Sequence, residues 1–139
     1  MTILQTGPVA GGPGAAVVAG TTYLLGYAFL LATSTRVVDY FLRRWTGTDL
    51  TAGVNEGQRD TGRVVGKCEN VLVLTLVFVG AYTALGLVFA AKSIVRREDM
   101  TSGDTTWYLA GTLVNFTYSI VVGVVAVAVA VIGVLPEVV

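Results

Sequence analysis

The side chains able to do chemistry in this chain are few, and most stand at the edges of apolar runs. Arg63, Glu69, Lys92 and Arg96 flank one such run, and Asn115 lies inside another. A carboxylate and cations at a membrane edge can grip phosphate headgroups or engage a partner's charges. A side-chain amide within hydrocarbon instead demands a hydrogen-bond partner, and Tyr82, Thr83 and Tyr27 supply hydroxyls for it. Thr112 precedes Asn115 by three residues and shares its helical face. The chain has no histidine, so the commonest general base and the commonest metal ligand are both missing. One cysteine cannot build a zinc site, and Ser-His-Asp, Cys-His and His-x-x-Glu-His chemistries are excluded. Asp49, Asn55, Glu56 and Asp60 lack the spacing of a calcium loop. Gly11-Gly12-Pro13-Gly14 has no strand before it, so it reads as a tail and not as a dinucleotide fingerprint. Asn115-Phe116-Thr117 matches a glycosylation sequon by chance, being inside an apolar run, and Cys68 reads as a small buried filler. No catalytic residue, metal or cofactor is expected.

The elements that position these residues are set by composition. Of 139 residues, 54% are apolar and 13% charged, with a mean hydropathy of +0.74. A soluble domain carries roughly a quarter of its residues as charges. Eleven of the charges lie between Arg36 and Glu69, six between Lys92 and Asp104, and Glu137 stands alone. Windows 1–35, 70–91 and 105–136 are charge-free, each at least as long as the roughly 20 residues that cross a bilayer. This excludes a soluble globular domain, a disordered chain, a disulfide scaffold and a nucleic-acid binder.

The expected fold is all-α and integral to the membrane, with three transmembrane helices and an interfacial amphipathic segment after the first. Residues 1–14 form a flexible tail and 15–139 a single membrane domain, with spans at about 15–35, 71–91 and 107–135 and polar loops at 36–70 and 92–106. No basic segment precedes the first span and no A-x-A-like site follows it, so it is expected to stay as an anchor. After it, Val37, Val38, Phe41 and Trp45 alternate with Arg36, Asp39 and Arg43 at helical spacing, which suits the headgroup layer. In the third span, Thr112, Asn115, Ser119, Gly123, Ala126, Ala130 and Gly133 form one stripe of small and hydroxyl residues, the kind of face on which helices associate in lipid. Ala16, Gly20, Tyr23, Tyr27 and Ser34 form the corresponding stripe of the first span, and Thr75, Thr83, Gly86 and Ala90 that of the second.

Six Lys/Arg in 36–69 against three in 92–106 place the longer segment in the cytoplasm, with the N-terminus outside and the C-terminus inside. The second span is basic at both ends, which conflicts with a full crossing. A straight helix would part Glu69 from Lys92 by about 35 Å, at roughly 1.5 Å per residue. A break within 80–86 would return both ends to one side as a re-entrant hairpin, the alternative to three crossings.

Gly62-Arg63, Gly66 and Glu69, then Ala90-Ala91-Lys92-Ser93 with Arg96, then Tyr108 and Gly111-Thr112 make up a combination of motifs over residues 62–112. It resembles the bacterial domain-of-unknown-function family 3307 of small multi-pass membrane proteins. The resemblance implies G-R-x-[IV]-G-x-x-E-R, then A-A-K-S-x-x-R, then a tyrosine before G-T, and it implies membrane residence without an activity. Asn70 departs from it where arginine is usual, which bears against an intact Glu-Arg pair, and Asn115 departs where serine is frequent.

The functional expectation is a non-enzymatic binding, assembly or transport-associated module of the plasma membrane. Arg63, Glu69, Lys92 and Arg96 are its interfacial candidates, Asn115, Tyr82 and Thr112 its intramembrane polar ones, and Ser119, Gly123, Ala126, Ala130 and Gly133 its packing face. Its expected partners are membrane lipids and a homo-oligomer or membrane-protein partner, with no nucleic acid. The competing expectations are a membrane-embedded lipid-headgroup enzyme and a small channel or transporter subunit.

Overall fold

The computed structural model describes residues 12–46, 56–98 and 105–138, with side chains at 12–45, 56–57, 60–94 and 110–135. Nearly all of the expected tail, residues 47–55 and 99–104 of the polar loops, and the side chain of Arg96 lie outside the described residues. Among the described residues there are four helices and no strand: α1 (Pro13–Thr46), α2 (Glu56–Phe78), α3 (Tyr82–Glu98) and α4 (Thr105–Val138).

α1 opens where its sequence favours opening. Proline at the first helical position has its fixed φ already suited to the helix, and the Gly12 carbonyl accepts the Ala15 and Ala16 amides at 3.0 and 3.3 Å. The helix then continues unbroken through Thr46, and the expected amphipathic segment is its last third. Its inward residues there are Val38 and Leu42, which face Gly111 of α4, whereas Phe41 and Trp45 are exposed. Spacing put Val37, Val38, Phe41 and Trp45 on one face suited to the headgroup layer; α4 covers the Val38 and Leu42 side and leaves Phe41 and Trp45 open.

α1 and α4 each have 34 residues, about 51 Å at about 1.5 Å per residue, and they pack antiparallel along that length. Gly111 lies opposite Leu42, Gly26 opposite Ala126, and Gly133 opposite Val18. The α4 stripe is the buried face: Ser119, Gly123, Ala126 and Ala130 are inside, and a Cβ on Gly133 would stand 3.1 Å from Val18 Cγ1. The α1 stripe is shifted from expectation. Ala15, Ala19, Gly26, Leu30 and Ser34 point inward, while Ala16 and Gly20 are exposed. Adjacent small residues on two faces made the register ambiguous in the sequence.

The span expected over 71–91 is not one helix. α2 stops at Phe78 and the chain reverses through Val79, Gly80 and Ala81 into α3. Gly80 has φ +69°, its amide donates to Val77 O at 3.1 Å, and the Ala81 amide donates to Leu76 O at 2.8 Å. This pair of bonds around a left-handed residue is a Schellman ending, which satisfies helix carbonyls that would otherwise lack donors. Ala81 in turn gives its carbonyl to Leu85 N at 3.0 Å and starts α3. α3 lies back on α2 through Leu85 against Val73 and Val77, and on α4 through the Phe89 and Phe116 rings at 5.2 Å.

The hairpin is moored at both sides of its tip. Phe78 stacks on Tyr23 at 4.3 Å and meets Tyr27 edge-on at 5.4 Å. On α4, Gly123 lets α2 approach so closely that an added Cβ would fall 2.8 Å from Val77 Cγ1 and 3.1 Å from Leu74 Cδ1. Two hydroxyl pairs repeat one device. Thr75 and Thr33 return their hydrogens to the i−4 carbonyls of Val71 and Phe29, so Tyr27 and Tyr118 are the donors to them, at 2.6 and 2.7 Å.

Gly123→Ala is therefore expected to destabilise the bundle by about 1–3 kcal/mol, the usual cost of overpacking. Gly80→Ala is expected to cost about 1–2 kcal/mol for a left-handed alanine. Gly20→Ala, where a Cβ meets nothing within 4 Å, should be neutral or mildly stabilising. Thermal unfolding in detergent followed by circular dichroism ranks the three; equal midpoints for Gly123→Ala and Gly20→Ala would refute the close α2–α4 crossing.

Candidate functional site: a polar layer at the charged end

The reversal at Gly80 decides where the charges go. α2 runs antiparallel to α1 and parallel to α4, and α3 returns beside α2. The C-terminal end of α1, the start of α2, the end of α3 and the start of α4 therefore share one end of the bundle. All ten charged residues with described side chains lie there: Arg36, Asp39, Arg43 and Arg44 on α1, Glu56, Asp60, Arg63, Lys67 and Glu69 on α2, and Lys92 on α3. Toward the opposite end α4 carries Glu137, whose side chain lies outside the described residues, and the described side chains there are uncharged.

Within that end the hairpin joins Glu69 to Lys92 in an ion pair with a direct hydrogen bond, their side chains 26% and 21% exposed. A pair this sheltered is screened less than a surface one, and loss of either partner strands a charge. Glu69 thus finds a cation although Asn70 occupies the position where the resemblance implied arginine. Arg63 is elsewhere: it meets Asp60 at 3.6 Å on an exposed face, where such pairs contribute little. Arg96 is in the last turn of α3, and its side chain lies outside the described residues.

One residue along from Glu69, Asn70 turns into the α2–α4 crossing. Ser119 Oγ stands 2.8 Å from Asn70 Oδ1 and 2.9 Å from the Asn115 carbonyl, and Asn115 Nδ2 donates to the Gly66 carbonyl at 3.3 Å. Asn70 and Ser119 are 1% and 0% exposed. The partner of Asn115 is thus a backbone carbonyl of α2 and not Tyr82, Thr83 or Tyr27. Tyr82 begins α3 at the hairpin tip and is exposed, Tyr27 is engaged by Thr75, and Thr112 is half-buried beside the layer. A glycine at 66 presents its carbonyl without a side chain beside it, and that signal, together with Asn70 four residues later, was available in the sequence.

Glu69, Lys92, Asn70, Asn115 and Ser119 form a polar layer across three helices. It pairs one carboxylate with one ammonium and sets two amides and a hydroxyl beside them. Among the described residues no group of three His, Cys, Asp or Glu side chains is placed to hold a metal ion, and Cys68, expected to be buried, is exposed.

Glu69→Gln and Lys92→Met are each expected to destabilise the protein by about 1–3 kcal/mol, between the ranges for exposed and buried pairs. The double variant should lose less than the sum, with a coupling of about 0.5–3 kcal/mol. A double-mutant cycle on detergent unfolding measures it, and additive losses would show that the pair is not made. No family model matches the chain, and neither does any curated protein or solved structure.

Proposed function

We propose that the chain is a multi-pass protein of the plasma membrane. In this reading α1 and α4 cross, and the α2–α3 hairpin enters from the charged end and returns to it. The observation that carries the proposal is the distribution of surface. The outer faces of α1, α3 and α4 expose Leu24, Leu25, Leu87, Val131 and Ile132, while the described charges gather at one end. So large an apolar exterior is unsuited to water. The two long helices contain apolar windows only 22% and 28% buried, unlike the core helices of a soluble fold. From Glu69 to Gly80 the hairpin reaches about 16 Å at about 1.5 Å per residue, near half of a hydrocarbon layer about 30 Å thick.

The positive-inside bias then puts the charged end in the cytoplasm and both ends of the chain outside, in place of a cytoplasmic C-terminus after three crossings. The role is a non-enzymatic binding or assembly module, in which the charged end meets anionic headgroups or a partner. Arg36, Arg43, Arg44, Arg63 and Lys67 are exposed for that contact. The proposal takes in the family resemblance as well: Glu69 and Lys92, which stand in separate motifs, are the two residues that pair, which supplies a physical reason for the motifs to occur together. A second reading, a small channel or transporter subunit, is favoured by the amide and hydroxyl cluster of Asn70, Asn115 and Ser119 inside the bundle.

Impermeant maleimide labelling of single cysteines at positions 50 and 100, on a Cys68→Ser background, tests the topology. The expected result is labelling of both from the same, cytoplasmic, side. Labelling from opposite sides would replace the hairpin with a full crossing, and a chain that stays dissolved without detergent would end the membrane reading.

A further inference from the structure

Asn70 carries a hydrogen-bonding demand that the protein does not meet. Its side chain is 1% exposed, its Oδ1 is bonded to Ser119, and its Nδ2 has no acceptor. Turning the amide over does not mend this. Nδ2 would then donate to Ser119 Oγ, whose own hydrogen can go to the Asn115 carbonyl at 2.9 Å, and Oδ1 would move to the place where Nδ2 now finds no partner. The groups at hand are already engaged: Ser119 bridges Asn70 and Asn115, and the Gly66 carbonyl takes Asn115 Nδ2. Buried amides in proteins are nearly always paired, and where protein groups are committed the partner is ordered water.

We infer that the α2–α4 crossing holds an internal water molecule on Asn70. The chemistry selects water over an ion. The unmet group is a neutral donor, and the charges nearest to it in the layer, Glu69 and Lys92, are spent on one another. Water accepts one Asn70 N–H bond and keeps two hydrogens of its own to donate. Supply comes from the charged end, where Gly66 and Glu69 are half-exposed. The inference does not depend on the membrane reading, since protein covers Asn70 on all sides.

Two measurements test it on the full chain in detergent. Asn70→Leu keeps the branched shape and removes the amide. If water satisfies the amide, the variant loses a paired group and its unfolding temperature falls, by about 2–8 °C. If Nδ2 is truly unsatisfied, the same change relieves a penalty and the temperature rises, which would overturn the inference. The second measurement needs no folded Leu variant. The Asn70 side-chain amide resonance, assigned by its loss in Asn70→Asp, should show a direct cross-relaxation peak to water of the sign given by long-lived bound molecules. Absence of that peak would overturn the inference as well.

Discussion

The reversal through Val79, Gly80 and Ala81 controls where the charges of the described helices can lie. A helix continued across 71–91 would carry Glu69 and Lys92 to positions about 35 Å apart, at roughly 1.5 Å per residue. Each would then need its own solvent or headgroup. Gly80 in the left-handed region turns the chain within three residues, and the Val77 and Leu76 carbonyls are satisfied as it does so. Backbone groups that lack water must find partners within the protein, so a turn that supplies them locally is what allows a helix to end in an apolar setting. With the turn made, two charged segments become one charged end.

A reversed hairpin needs a reason to stay against the long helices, and under the proposed membrane reading burial of greasy surface is a poor one, because the surroundings are equally greasy. The reasons here are close approach and hydrogen bonding. Gly123 brings α2 in until Val77 and Leu74 fill the space of a side chain. Phe78 lodges between Tyr23 and Tyr27, with Gly26 making room. Thr75 receives Tyr27, Asn70 meets Ser119, and Asn115 reaches Gly66. α3 has fewer such ties, and its outward residues Thr83, Gly86 and Ala90 are exposed. The Glu69–Lys92 pair therefore matters most to α3, because it fastens that helix at the end farthest from the turn.

Much of this was readable from residue types. Charge-free windows located α4 and the first two thirds of α1, the 112–133 stripe named the buried face of α4, and a break within 80–86 stood as the alternative that returns Glu69 and Lys92 to one side, whereas α2 begins at Glu56, inside the expected polar loop. What was hidden depends on three dimensions. A charge-free run says nothing of whether it is one helix or two, since Gly80 is also tolerated inside a helix at modest cost. The packing register of α1 could not be chosen because Ala15 and Ala16, and again Ala19 and Gly20, offer small residues on adjacent faces. Hydroxyls are the evident partners for Asn115 in the sequence, whereas a glycine-exposed carbonyl serves equally well and carries no sequence mark beyond the glycine itself.

The ties between helices are graded along the bundle, and the grading follows from how far the hairpin reaches. From the charged end to the tip at Phe78, each helix is linked to a neighbour by at least one side-chain hydrogen bond, ion pair or ring contact: Thr33 to Tyr118, Asn115 to Gly66, Asn70 to Ser119, Glu69 to Lys92, Tyr27 to Thr75 and Phe89 to Phe116. Beyond the tip only α1 and α4 continue, and they meet through Ala15, Ala19, Ala130 and Gly133, whose small side chains allow approach but direct no bond. Directional bonds select one arrangement of helices, whereas small-residue contact tolerates sliding. The charged half thus specifies the geometry, and the far half of α1 and α4 inherits its alignment from it.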